Sequence, residues 1–179
     1  MKCAETFLGK LLHDKDPFHI PNYQRPYSWS DENIVEFIED LKILINRRFS
    51  DGHGTDHFFG GIVTVSAQDP KLTHGIKYEI VDGQQRLTTF TLALKVLVEK
   101  FLELSIIAEK AKLSDIVETS KTLADELINE YIFYKDTSGE RPEKKLRLNL
   151  SRTDFPYYEE LLKSNGIPEI EPREQSHIR

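Results

Sequence analysis

The chain has 179 residues, with 24 lysines and arginines against 30 acids and a net charge of −6. Hydrophobic residues at 39% and charged residues at 30% exclude a disordered chain and a membrane-embedded one. One domain of ~100–200 residues is the default at this length, and no apolar run approaches the ~18–20 residues of a bilayer span.

Met1-Lys2-Cys3-Ala4-Glu5 lacks the apolar core of a signal peptide, so a cytoplasmic location is expected. Cys3 is the single cysteine, which excludes an internal disulfide framework and a Cys-based zinc cluster. The acidic balance argues against a nucleic-acid coat over the whole surface and leaves room for a local basic site.

Phe7, Leu8, Leu11 and Leu12 share one helical face, predicting a short helix over Glu5 to Leu12. Phe18-His19-Ile20-Pro21 reads as extended, because residues preceding proline are pushed away from helix. Ser30 is expected as an N-cap, with Asp31 and Glu32 complementing the dipole of a helix reaching about Arg48. Its apolar face is Ile34, Phe37, Ile38, Leu41, Leu44 and Ile45. A loop over residues 50–56 precedes a strand from His57 to Val65. Gln68 to Thr73 turns the chain, and Lys77 to Val81 alternates as the second strand of an antiparallel hairpin.

Leu87, Phe90, Leu94, Leu97, Val98 and Phe101 then define a long central helix at about residues 87–104, its apolar face widened by Leu92, Ala93 and Val96. A further helix is predicted from Leu113 to Tyr134, a charged loop from Lys135 to Lys145, and a third strand over Leu146 to Leu150. A last short helix covers Asp154 to Ser164. The tail from Asn165 onward holds Pro168 and Pro172 among charges, with no visible core to join.

The string Ile80-Val81-Asp82-Gly83-Gln84-Gln85-Arg86-Leu87-Thr88-Thr89 joins a strand, a glycine turn and a helix start. Backbone N–H groups at a helix start have no intrahelical partner, and the dipole adds positive potential. Gly83 permits positive φ or close approach of a ligand. Arg86 at the positive end of a helix is unfavourable unless an anion or a carboxylate lies near. A phosphate would satisfy the amides, Arg86 and the Thr88 or Thr89 hydroxyl together. The competing reading makes Asp82 a plain N-cap, with Gln85 completing a capping box and Arg86 paired to a surface acid.

Upstream, Ile20 to Trp29 places Tyr23, Gln24, Arg25 and Tyr27 in a proline-stiffened segment. Alternation puts Tyr23, Arg25 and Tyr27 on one face and Gln24 on the other. Arg25 is a second candidate phosphate contact, and Tyr23 or Tyr27 a candidate for stacking on a base. Packing before the helix is the favoured role for these rings. Phe58-Phe59-Gly60-Gly61 is expected to pack and bend a strand. His53 and His57 form an H-x3-H pair with no further ligand set. No G-x-x-x-x-G-K-[ST] loop exists, which excludes a P-loop site.

The order Ile20-Pro21-x-Tyr23-Gln24-Arg25-x-Tyr27-x-Trp29, Phe58-Phe59-Gly60-Gly61-Ile62-Val63 and Ile80 to Thr89 resembles the N-terminal domain of GmrSD-type, type IV restriction enzymes. Leu146-Arg147-Leu148 followed by Asp154, Tyr158 and Leu161-Leu162 is similar to a later block of that family. The likeness spans about residues 5–165. It implies an α/β (α+β) fold of the ParB/sulfiredoxin-like kind: a small mixed sheet packed with helices, carried by residues 1–150, then a C-terminal helix and tail over 151–179.

The resemblance also implies hydrolysis of a nucleoside triphosphate with Mg²⁺ or another divalent metal, coupled to recognising or cutting modified foreign DNA. Cleavage belongs to an HNH-type nuclease domain, for which these 179 residues leave no room. Carried over by position, the amides after Gly83, with Arg86 and Arg25, contact phosphate, and Gln24 belongs to the same set. Gln84 or Gln85 orients the attacking water, and Asp82 holds the metal through water or fixes an arginine. The alternative is a non-catalytic ParB-like module that binds nucleotide or DNA and regulates a partner.

Overall fold

The computed structural model of the chain describes residues 4–14, 17–51, 58–69, 71 and 75–164. The expectations placed on Cys3, His53, His57 and the tail from Asn165 lie outside these residues.

Strands β1 (Phe18–His19), β2 (Val63–Gln68), β3 (Ile76–Asp82) and β6 (Leu148–Asn149) form one mixed sheet in the order β2-β3-β1-β6. The short β1 lies between two parallel neighbours: Phe18 sits opposite Tyr78 and Leu148, and His19 opposite Glu79 and Asn149. β2 and β3 are the expected antiparallel hairpin, with an irregularity in register between Val63 and Thr64. A second, two-stranded sheet pairs β4 (Phe133–Asp136) with β5 (Glu143–Leu146). Among the described residues five α-helices accompany them: α1 (Leu8–Asp14), α2 (Asp31–Asp51), α3 (Gln84–Lys110), α4 (Ser114–Leu127) and α5 (Phe155–Lys163). The small mixed sheet packed with helices agrees with the expected α+β class. No helix among the described residues is long and apolar enough to cross a membrane.

One core joins these elements. Phe18, Ile80 and Leu148 come from the three parallel strands, Leu87 and Val98 from α3, and Tyr158 and Leu162 from α5. Full burial of such side chains is worth ~1.5–3 kcal/mol each, which makes this cluster the anchor of the sheet. At the far end of α5, Lys95 of α3 donates to the Ser164 carbonyl and pairs with Glu99. At the start of α2, the Ser30 N–H donates to Asn33 Oδ1 at 3.1 Å, half of a capping box.

Several elements differ from the sequence expectation, each for a local reason. The strand expected from His57 begins only at Val63; residues 58–62 form a loop whose Gly60 has φ +103°. The helix expected to Tyr134 ends at Leu127, widens into a π turn over Ile128–Ile132 and becomes strand at Phe133. The run Tyr131-Ile132-Phe133-Tyr134 combines aromatic and β-branched residues, which suit a pleated surface better than a helix.

The charged stretch expected as a loop is largely the β4–β5 hairpin. Buried Asp136 accepts hydrogen bonds from Lys145 Nζ at 2.6 Å and from the Ser138 N–H at 3.0 Å. The alternating Leu146, Leu148 and Leu150 are all buried as expected, yet the strand breaks at Arg147. That guanidinium donates to the carbonyls of Leu12 and His13 at the end of α1 and of Phe133, where a helix C-terminus favours a cation. Val96 and Leu97, expected on the apolar face of the central helix, are exposed.

β1, β3 and β6 run parallel and side by side, so their C-terminal ends share one edge of the sheet. From that edge the chain continues as residues 20–30, as α3 and as residues 150–154. Ligands of open α/β sheets bind outside the carboxyl ends of parallel strands.

His19 is the titratable group the sheet perturbs most. Burial first, and then the charge of Lys77, lower its pKa from 6.5 to about 4, and its Nε2 has no hydrogen-bond partner among the described residues. A base that stays neutral in the fold but protonates in the unfolded chain stabilises the fold above pH 6.5 and loses that contribution as pH falls toward 4. Urea midpoints between pH 7 and 4 are expected to fall for the wild type and to fall less steeply for His19→Leu. Parallel slopes for the two proteins would contradict the assignment.

Candidate functional site

α3 begins directly at the end of β3. Gly83 is its N-cap residue, in the left-handed region at φ +91°, ψ 5°, and no side chain among the described residues caps the helix. The first-turn amides therefore keep the donor character of an uncapped helix start. This overturns the capping-box reading. Asp82 is the last residue of β3, its side chain 71% exposed. Gln85 turns away from the helix start.

Gln85 reaches the upstream segment instead. Its Nε2 donates to the Pro26 carbonyl at 3.3 Å, and its Oε1 accepts the Ser28 N–H at 2.9 Å. Gln84 Nε2 donates to the Arg25 carbonyl at 3.3 Å, and Gln24 Nε2 donates to the Val81 carbonyl at 3.1 Å. The two motifs, nearly sixty residues apart, thus form one hydrogen-bonded unit. A third strand end joins them: Asp154, 2% exposed, accepts the Tyr27 N–H at 2.6 Å.

The threonines divide. The Thr89 hydroxyl donates to the Gln85 carbonyl and contacts the Tyr27 hydroxyl at 2.8 Å, committing both groups to the interior. Burial raises the Tyr27 pKa, partly offset by the hydrogen bond with Thr89. Tyr27 is 5% exposed, so its ring has no face for a base, whereas Tyr23 is 76% exposed. The expected alternation fails because the chain turns here, with the Gln24 N–H donating to the Pro21 carbonyl. Thr88 stays beside a cavity of about 10 Å³, lined also by Arg25, Gln84, Ser151 and Asp154 over an apolar floor of Ile20 and Leu150. Arg25 itself is exposed.

Arg86 is held by a segment whose part in the site the sequence did not disclose. Its Nη2 donates to the Gly61 carbonyl at 2.8 Å and lies 3.7 Å from the Asp82 carboxylate. The exposed carboxylate adds little, since surface ion pairs are worth ~0–1 kcal/mol. The loop is brought there by an aromatic chain: Trp29 to Phe37, Phe37 to Phe59 and Phe59 to Phe90, with centroids 6.0, 6.3 and 5.7 Å apart. A Cβ at Gly60 would overlap the Arg86 guanidinium, and one at Gly83 would press on the Gly61 carbonyl at 3.0 Å. The signal available in sequence was two aromatics followed by two glycines; its reading as a strand bend is replaced by this seat for Arg86.

A protein-family model described as "GmrSD restriction endonuclease, N-terminal domain" matches residues 8–179. A comparison with curated proteins finds no match. The chain belongs to the GmrSD N-terminal domain family and is thereby a component of a restriction system.

Gly60 gives a direct check on the arginine seat. Gly60→Ala forces a non-glycine residue to positive φ, at a cost of about 1–3 kcal/mol, and displaces Arg86. Gly61→Ala meets no atom of the described residues within 4 Å and is the control. Thermal unfolding is expected to drop by several degrees for Gly60→Ala and to stay near wild type for Gly61→Ala. Equal melting temperatures would contradict the packing described.

Proposed function

We propose that this domain binds a nucleoside triphosphate at the start of α3 and hydrolyses it, as the nucleotide-dependent part of a system that acts on DNA, modified DNA included. The observation that carries the reading is the uncapped, glycine-started α3, set at the C-terminal ends of three parallel strands with Arg86 in its first turn and Arg25 bound through its carbonyl to Gln84. Helix-start amides and guanidinium groups are the donors that phosphate oxygens require. Charge developing on the transferred phosphoryl group would be stabilised by the same groups.

The roles of the glutamines separate on their partners. Gln85 has both ends of its amide committed to residues 26–28, which makes it a positioning residue. Among the described residues Gln84 uses only its nitrogen. A divalent metal would enter with the triphosphate. Among the described residues no three His, Cys, Asp or Glu side chains group as a metal site, and Mg²⁺ characteristically uses one or two carboxylates, waters and phosphate oxygens. Asp82 fits that modest requirement as a ligand through water.

The nucleotide lies over the surface at Arg25, because the cavity beneath is far smaller than a phosphate chain. The ParB-like kinship and the HNH-type nuclease partner belong to the same proposal. The non-catalytic reading draws on Arg86, whose guanidinium is already partnered by the Gly61 carbonyl.

Calorimetric titration of NTP·Mg²⁺ into wild type, Arg25→Ala and Arg86→Ala separates these readings, together with phosphate release measured with and without DNA of several modification states. Loss of one charge-assisted contact is expected to weaken binding about tenfold to a hundredfold in each variant. Wild-type affinity in both folded variants would sink the site. Tight binding without phosphate release, with every DNA added, would favour the regulatory module.

A further inference from the structure

The cavity at the strand ends has a chemical polarity that the phosphate site does not explain. Gln84 is 8% exposed, and its Oε1 is buried with no hydrogen-bond partner among the described residues. The orientation of the amide is fixed, because its nitrogen faces the Arg25 carbonyl at 3.3 Å and a flipped amide would set oxygen against oxygen. The group therefore calls for a hydrogen-bond donor. A buried acceptor left without one is unfavourable.

The cavity beside it measures about 10 Å³, the room of about one water, and water needs two to four polar partners. Thr88, Ser151 and Asp154 supply polar groups from two of the three strand-end segments. Arg25, exposed and lining the same cavity, would hold an anion at its mouth.

We propose that this cavity holds a single water that donates to Gln84 Oε1, and that this water is the nucleophile of triphosphate hydrolysis; the second part rests on the function proposed above. Its oxygen bonds to the γ-phosphorus as the bond from that phosphorus to the β–γ bridging oxygen breaks. The nucleoside diphosphate leaves with the electron pair, and a water proton passes to the inorganic phosphate. Gln84 is then the residue that orients the water, while Gln85 fixes the wall of the site.

The test measures kcat and nucleotide affinity for wild type, Gln84→Met and Gln84→Glu, with a crystal structure of the wild type. Gln84→Met removes the acceptor at similar volume, and with it the bond to the Arg25 carbonyl; kcat is expected to fall at least about tenfold, while affinity falls less than in Arg25→Ala. Gln84→Glu keeps an acceptor for the water but sets an oxygen against the Arg25 carbonyl, so its turnover is expected to fall below wild type and to stay above that of Gln84→Met. Should Gln84→Met fail to fold, Thr88→Val alters the same cavity at constant volume and is expected to lower kcat in the same way.

The wild-type structure is expected to show a water within about 3.2 Å of Gln84 Oε1. Its absence, or an unchanged kcat in folded Gln84→Met, overturns the inference while leaving nucleotide hydrolysis standing. A wild type that neither binds nor hydrolyses any triphosphate overturns the underlying reading, and with it the nucleophile. A water present beside a Gln84→Met variant that loses only stability would make it a structural water and overturn the catalytic part.

Discussion

The site depends on one side chain spanning a gap. Gln85 accepts the Ser28 N–H and donates to the Pro26 carbonyl, tying the segment that leaves β1 to the first turn of the helix that leaves β3. Without it, the two motifs would be joined by Gln84 and Gln24 at single carbonyls. Unmet backbone groups of residues 26 and 28 would then weaken the hold on Tyr27. Asp154 completes the assembly from the third strand end by accepting the Tyr27 N–H. Three chain segments with separate routes through the fold are held against one helix start, and the parallel pairing of β3, β1 and β6 makes that meeting possible.

Glycines set the second constraint. Gly83 at φ +91° turns a strand into a helix within one residue, and Gly60 at φ +103° lets backbone pass where the Arg86 guanidinium lies. Both replace side chains with close backbone contact. The Gly61 carbonyl then anchors Arg86, so this arginine's position is fixed by the loop more than by Asp82. The net charge of −6 conceals this arrangement, because Arg25, Arg86 and the helix amides act locally.

The features most legible in the sequence were those with local causes. The 3.6-residue spacing along Ile34 to Leu44 and Leu87 to Phe101 located α2 and α3, and the alternation of Lys77 to Val81 located β3. Gly83 was readable as a residue needing positive φ. What stayed hidden was decided by distant partners. Gln85 sits at capping-box spacing from Asp82, and only the position of residues 26–28 shows that its amide is used elsewhere. Leu146 to Leu150 alternates like one strand, yet Arg147 diverts it by finding the end of α1. The β4–β5 hairpin looked like a loop because Asp136 and Lys145 read as solvated charges before their pairing was known. Asp154 was legible only through the family resemblance, and its place with Ser151 in the cavity wall exists only where three strand ends meet.

A crystal structure of the domain with a non-hydrolysable nucleoside triphosphate and Mg²⁺ tests the central claim most directly. The phosphates are expected over the amides of residues 84–86, with the guanidinium groups of Arg25 and Arg86 within hydrogen-bond distance of phosphate oxygens. A nucleotide bound at another surface of the chain, with α3 starting as described and both arginines free of it, would contradict the account.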